Sequence, residues 1–134
     1  MKNHENVVIF ITTGTDEEAQ EVAKALLKNR DAACVNIVPK INSFFWWHGT
    51  LDSSQESLLI VKSKASLVSE IVRLVKEVHS YETPEIFALP IIGGNPDYLD
   101  WIGKEVKQDT GDNCWVCLPE TKISLKLLRH GRLF

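Results

Sequence analysis

From Ala33 to Trp47 the chain runs for fifteen residues with Pro39 as its one strong breaker, and His48-Gly49-Thr50 then offers a tight turn. Fully extended, such a run spans about 50 Å at ~3.3 Å per residue. A compact domain of 134 residues has a radius of gyration of about 14 Å, hence a diameter of roughly 36 Å. The hairpin therefore has to bend or protrude. Pro39 permits the bend, and it lacks a donor for the strand ladder. Phe44-Phe45-Trp46-Trp47 lies beside the turn, and strand alternation sends two of these aromatics to each face. The ribbon can fold back on its own domain, or it can dock as an arm on identical neighbours. Large apolar patches mark interfaces, and an arm handed round a ring removes free sheet edges. Phe44, Phe45, Trp46 and Trp47 are therefore expected at a contact between copies.

The flanking segments define the rest of the domain. Val7-Val8-Ile9-Phe10-Ile11 is β-branched and apolar on both faces, as in a central buried strand. Thr15-Asp16-Glu17-Glu18 reads as a capping box that starts a helix over about 16–29. Ala19, Val22, Ala23, Leu26 and Leu27 follow the spacing of one buried stripe. Strand character resumes from Ala32 to Ile37. Leu58–Val61 and Ile86–Leu89 are further strands, with a helix between them whose stripe is Leu67, Ile71, Leu74, Val75 and Val78. Asn95-Pro96-Asp97 announces a third helix through a cap residue, a Pro at its first position and a carboxylate. The order β-α-β-β-α-β, with this added C-terminal helix and the long protruding hairpin, predicts an α/β fold. It is the ferredoxin-like α+β sandwich, with two helices on one face of a four-stranded antiparallel sheet.

Composition separates a core domain from a tail. Residues 1–110 carry a net charge of −5, whereas 111–134 carry +2. The expected organisation is a domain over 1–108 and an extension over 109–134 that packs on the domain or its assembly. An overall charge of −3 argues against binding nucleic acid or anionic membrane through a basic surface. No apolar run approaches the ~20 residues of a membrane-spanning helix. Met1–Asn6 is polar and lacks the apolar stretch of a secretion signal. Three cysteines, an odd number, point to a reducing, cytoplasmic setting.

Few residues offer chemistry. Thr13-Gly14-Thr15 is too poor in glycine, and lacks the lysine, for a phosphate loop. Neither a Gly-x-Ser-x-Gly elbow nor a His-Glu-x-x-His pair occurs. Acylphosphatases share the expected fold but need an arginine after the first strand, where Thr12–Thr15 has none. The densest polar cluster is His79-Ser80-Tyr81-Glu82-Thr83-Pro84-Glu85. His79, Glu82 and Glu85 are ligand types for Cu or Zn. They read equally as structural groups, with His79 closing a helix and Glu85 bonding a nearby donor. Cys34, flanked by Ala33 and Val35, reads as a small buried residue, with a thiolate ligand as the other reading. Cys114-x-x-Cys117 is half of a zinc site without its second pair, and Pro119 follows too soon for a redox helix.

Several stretches together resemble the divalent-cation tolerance family, CutA. They are Ala32-Ala33-Cys34-Val35-Asn36-Ile37-Val38-Pro39, Ser43–Gly49 with its two tryptophans, Leu58-Leu59-Ile60-Val61-Lys62, His79–Pro90 and Tyr98-Leu99-x-Trp101. The resemblance covers about residues 7–107. It implies a ferredoxin-like homotrimer with hairpins paired across subunits, a role in the response to copper and other divalent cations, and no catalytic activity. Copper-binding members offer a cysteine at the end of the first strand and a histidine or histidine pair just before the Pro-Tyr of the loop. Here Ile11 and Val78 occupy those places and His79 alone is retained, with Ser80 in place of the usual Pro. The resemblance thus implies weak Cu(II) binding, with no cofactor required. The expected pocket lies at a subunit boundary and uses His79, Tyr81, Glu82 and Glu85, with Cys34 as a further candidate. The alternative is a trimeric signalling or scaffold module of P-II-like architecture that binds a small ligand or a partner protein.

Overall fold

The structure, a computed structural model, describes residues 5–108. The expected 109–134 extension, with Cys114 and Cys117, lies outside the described residues. The elements are β1 (Asn6–Thr13), α1 (Asp16–Lys28), β2 (Cys34–Trp47), β3 (Thr50–Lys64), α2 (Val68–Val78), β4 (Ile86–Pro90) and α3 (Pro96–Glu105). A 3₁₀ turn, Ala65–Leu67, leads into α2. The four strands form one antiparallel sheet in the order β2-β3-β1-β4. This is the ferredoxin-like topology that the order of periodicities predicts.

Local chemistry sets the boundaries. The Thr15 hydroxyl oxygen accepts from the Glu18 amide at 3.1 Å, which caps α1. The reciprocal half of the capping box is absent, because the Glu18 carboxylate accepts instead from the amide of Ser80 and, at 3.1 Å, from its hydroxyl. A bond across the fold has displaced the local one. Asn95 caps α3 by accepting from the Asp97 amide, with Pro96 in the first turn.

The core lies on one face of the sheet. Val7, Ile9 and Ile11 of β1 and Leu59 and Val61 of β3 meet Ala19, Val22, Ala23 and Leu26 of α1 and Ile71, Leu74 and Val75 of α2. Leu27, expected in the α1 stripe, lies outside the buried core and is 39% exposed. The expectation that β1 is buried on both faces also fails within one chain. Its second face, Val8 and Phe10, is half-buried. In register with Val8 stand Leu89 of β4 and Lys62 of β3, with Phe10 stand Phe87 and Ile60, and Leu58 stands between Thr12 and Val38 of β2. Phe87, Leu89 and Val38 are exposed. An antiparallel sheet that faces water alternates apolar with polar; here the open face also carries Val8, Phe10, Leu58, Ile60, Phe87 and Leu89, with Thr12, Asn36 and Lys62 among them.

The last described turn is held by charge. Lys107 donates its amide to the Arg30 carbonyl at 2.8 Å. Its ammonium pairs with Asp31 Oδ1 at 3.0 Å and with Glu70 of α2. The Asp31 side chain is fully buried.

The long hairpin both bends and protrudes. Val38 pairs with Leu58 and Ile41 with Glu56, so Pro39 and Lys40 together oppose Ser57 as a bulge. Lys40 takes a φ of +60° there. β1 ends against Ser57, so Ile41–Trp47 and Thr50–Glu56 continue as a two-stranded ribbon of about 23 Å. His48 (φ +52°) and Gly49 (φ +77°) form its two-residue turn. Two successive positive φ values are the mark of the type I′ turn that matches strand twist.

Candidate functional site

Register divides the ribbon into two faces, because residues directly opposite each other in a ladder share a side. Trp46 stands opposite Leu51 and Phe44 opposite Ser53. Phe44 and Trp46 are 74% and 73% exposed, and Leu51 is exposed beside them. The other face carries Ser43 opposite Ser54, Phe45 opposite Asp52 and Ile41 opposite Glu56. The four aromatics expected at a contact between copies are thus split two and two. Phe45 and Trp47 face inward, toward the loop after α2.

Between that inner face and the loop lies a cavity of about 640 Å³. Phe45, Trp47, Asp52, Ser54 and Glu56 reach it from the ribbon, and Tyr81, Glu82, Thr83 and Glu85 from the loop. Thr12 of β1 and Phe44 also border it. The Tyr81 hydroxyl donates to Glu56 Oε2 at 2.9 Å and ties the loop to β3. Burial, reinforced by the hydrogen bond to Glu56 and by the charges of Glu56 and Glu18, pushes the Tyr81 phenol up to about 12. The Thr12 hydroxyl approaches Glu85 Oε1 at 3.5 Å.

His79 shapes this loop from beneath. Its side chain is fully buried. Nε2 lies 2.7 Å from the Thr12 carbonyl oxygen, which can only accept, so Nε2 carries the hydrogen. Nδ1 accepts from the Tyr81 amide at 3.0 Å. The two rings are in contact, with centroids 4.8 Å apart. Glu18 Oε2 lies 3.6 Å from Nδ1. Both ring nitrogens are therefore engaged within the chain, in line with the structural reading of His79. Among the described residues no three His, Cys, Asp or Glu side chains converge into a group that could hold a metal ion. Glu82 and Glu85 share the cavity, and His79 does not line it.

Cys34 sits elsewhere. It is half-buried at the start of β2, opposite Lys62, nine residues along the strand from Ser43, or roughly 30 Å. Its sulfur is 3.9 Å from Asn36 Oδ1 and 4.0 Å from Lys62 Nζ. Burial, with Cys34 alongside, raises the Tyr98 phenol of α3. The structure thus brings Tyr81, Glu82 and Glu85 together and leaves Cys34 apart. Sequence reasoning missed Asp52, Glu56 and Glu18. A signal for the first two was present: Asp52, Ser54 and Glu56 alternate along β3, all on one face of a strand.

The pattern described as CutA1 divalent ion tolerance protein matches residues 7–105. The chain belongs to the CutA1 divalent ion tolerance family. A divalent-cation tolerance protein CutA from Thermus thermophilus is 44% identical over 104 residues, which is 78% of this chain and 97% of that one. The Archaeoglobus fulgidus relative of the same description is 46% identical over 99 residues, 74% of this chain and 96% of its own. Among solved structures, Oryza sativa CutA1 superposes with a TM-score of 0.76 at 37% identity, covering 80% of this chain and 100% of that one. The chain spans only 58%, 52% and 66% of the curated relatives from rice, mouse and Xenopus laevis. The rice relative is described as chloroplastic, and the Archaeoglobus structure as periplasmic. No helix among the described residues is long and apolar enough to cross a membrane.

Proposed function

We propose that the chain is a non-enzymatic homotrimeric protein of divalent-cation tolerance, and that it meets divalent ions, Cu(II) among them, weakly and without a resident cofactor. The observation that carries this reading is the uncovered apolar surface. Val38, Phe87 and Leu89 on the open sheet face, and Phe44, Trp46 and Leu51 on the outer ribbon face, are all exposed in one chain. A two-stranded ribbon is at best marginal alone in water, and patches of this kind mark protein contacts. Copies that lay their ribbons on one another cover both surfaces and leave no free edge. Closure at three follows the family resemblance.

Glu82 and Glu85 are the groups an arriving ion meets first, since both are exposed on the loop. His79 joins them only by giving up Thr12 and Tyr81, and one histidine with no convergent partners supports weak binding. A cytoplasmic setting fits the half-buried thiol of Cys34, which is free among the described residues.

Light scattering coupled to size exclusion, at decreasing concentration, tests the assembly. Three times the chain mass is expected, and a folded single-copy species overturns the reading. Titration calorimetry with Cu(II) tests the ion. Weak heats that fall in a Glu82→Gln, Glu85→Gln double variant are expected; heats unchanged in that variant remove the loop carboxylates from the site.

A further inference from the structure

The cavity between ribbon and loop is electrically one-sided. Asp52 and Glu56 reach it from β3 and Glu82 and Glu85 from the loop, while no Lys, Arg or His is among the described residues that line it. Glu56 is the decisive member. It is only 8% exposed, and none of the ion pairs among the described residues includes it. Oε2 accepts from Tyr81. Oε1 has no hydrogen-bond partner among the described residues, and Glu56 is one of the residues that line the cavity. A carboxylate oxygen in a cavity wall with no donor of its own is a ready partner for a cationic hydrogen-bond donor.

The walls say which kind of cation. Phe45, Trp47 and Tyr81 present rings to the same space, and aromatic faces attract ammonium groups as well as hydrocarbon. A bare divalent ion instead requires about six oxygens at ~2.0–2.6 Å. No three candidate ligands converge among the described residues, and about 640 Å³ far exceeds the space of an ion.

We propose that this cavity binds an aliphatic amine, and a diamine best of all. One ammonium end pairs with Glu56 and the other with Glu82, while the methylene stem lies along Phe45 and Trp47. The site shares the loop carboxylates with the copper reading but does not rest on it, since its decisive member is Glu56. It also leaves the outer ribbon face, Phe44, Trp46 and Leu51, free for assembly.

The test is titration calorimetry on the full chain, with hexane-1,6-diamine as the probe and hexane-1,6-diol as its neutral counterpart. Wild type, Glu56→Gln and Glu82→Gln are compared. Glu82 is exposed and has no hydrogen bond or ion pair among the described residues, so its variant remains informative if Glu56→Gln misfolds. Saturable binding of the diamine alone is expected, weakened by added salt and roughly tenfold or more weaker in each variant. The proposal falls if wild type binds no diamine, if the diol binds equally, or if neither substitution alters affinity. The assembly mass and the Cu(II) titration are measured separately, so a negative result with the diamine leaves those readings standing.

Discussion

The phenol of Tyr81 and the carboxylate of Glu56 meet at 2.9 Å across 25 positions of sequence, and their bond pins the loop after α2 to the root of the ribbon. Tyr81 is held up to about 12, first by burial and then by Glu56. An ultraviolet titration of the two tyrosines should therefore show both ionising above the usual value of 10, since Tyr98 is raised as well. In Glu56→Gln the amide oxygen still accepts the bond, but the charge is gone. Tyr81 should then fall toward 10 without reaching it, because burial remains. The sign for stability follows by linkage. A phenol with its folded value above its unfolded one contributes stability that is intact below pH 10 and lost as pH rises through about 12. Urea midpoints measured between pH 9 and about 12 should fall in wild type and fall less steeply in Tyr81→Phe.

His79 supports the same loop from below, and its removal should be felt as lost stability. His79→Ala leaves the Thr12 carbonyl and the Tyr81 amide without the partners they have now. A buried polar group left unmatched costs ~1–3 kcal/mol, so roughly 2–4 kcal/mol is expected for the pair. Denaturant unfolding gives the total, and hydrogen exchange localises it: the Tyr81 amide should exchange faster in the variant. An unchanged midpoint with unchanged exchange would show that the ring does not hold the loop.

The architecture was legible because it is written in short-range periodicity. The stripe Ala19, Val22, Ala23, Leu26 and the cap Asn95-Pro96-Asp97 each act within two turns of chain, and both appear as expected. The ribbon's bend was legible too, since Pro39 cannot donate to a ladder and the register does break between Val38 and Ile41. What escaped were contacts set by tertiary approach. Glu18 looks like the second half of a capping box, but Ser80, 62 residues away, takes its carboxylate. Glu56 looks like solvated polarity on a strand until the loop closes over it. The division of the four ribbon aromatics also depends on register, which a single strand does not reveal.

That division yields a direct test of assembly. Trp46 is 73% exposed on the outer face and makes no aromatic contact among the described residues, so a single chain loses little by its replacement. Trp46→Lys should leave secondary structure intact by circular dichroism while shifting the assembly toward single copies. Truncation of a buried aromatic anchor typically costs ~2–4 kcal/mol of association, which a dilution series by light scattering resolves. Trp47→Ala, on the inner face, should instead alter the cavity and its amine affinity. Equal assembly masses for wild type and Trp46→Lys at all concentrations would mean that the outer face is not the contact.

The Lys107 ammonium gathers Asp31 and Glu70 beneath the end of α3. The Asp31 carboxyl is raised above its ordinary value by burial, with Glu70 adding to the rise and Asn29 and Lys107 opposing it. Lys107 itself is raised: burial works against its charge, but its bonds to Glu70 and Asp31 outweigh that. Lys107→Met keeps the stem and removes the charge, leaving two acidic groups facing each other. Breaking a sealed ion pair from one side costs ~3–5 kcal/mol. Lys107 is 34% exposed, and water screening brings the expectation down to roughly 2 kcal/mol near neutral pH. The deficit should shrink in acid, because Asp31, already raised above 3.8, is protonated first and then needs no counter-ion. In wild type the Lys107 contribution should be intact below pH 10.5 and fade as pH rises through its higher folded value. Urea midpoints for both proteins from about pH 4 to 11 should therefore converge at both ends and separate in the middle. Parallel curves would show that the three charges act independently.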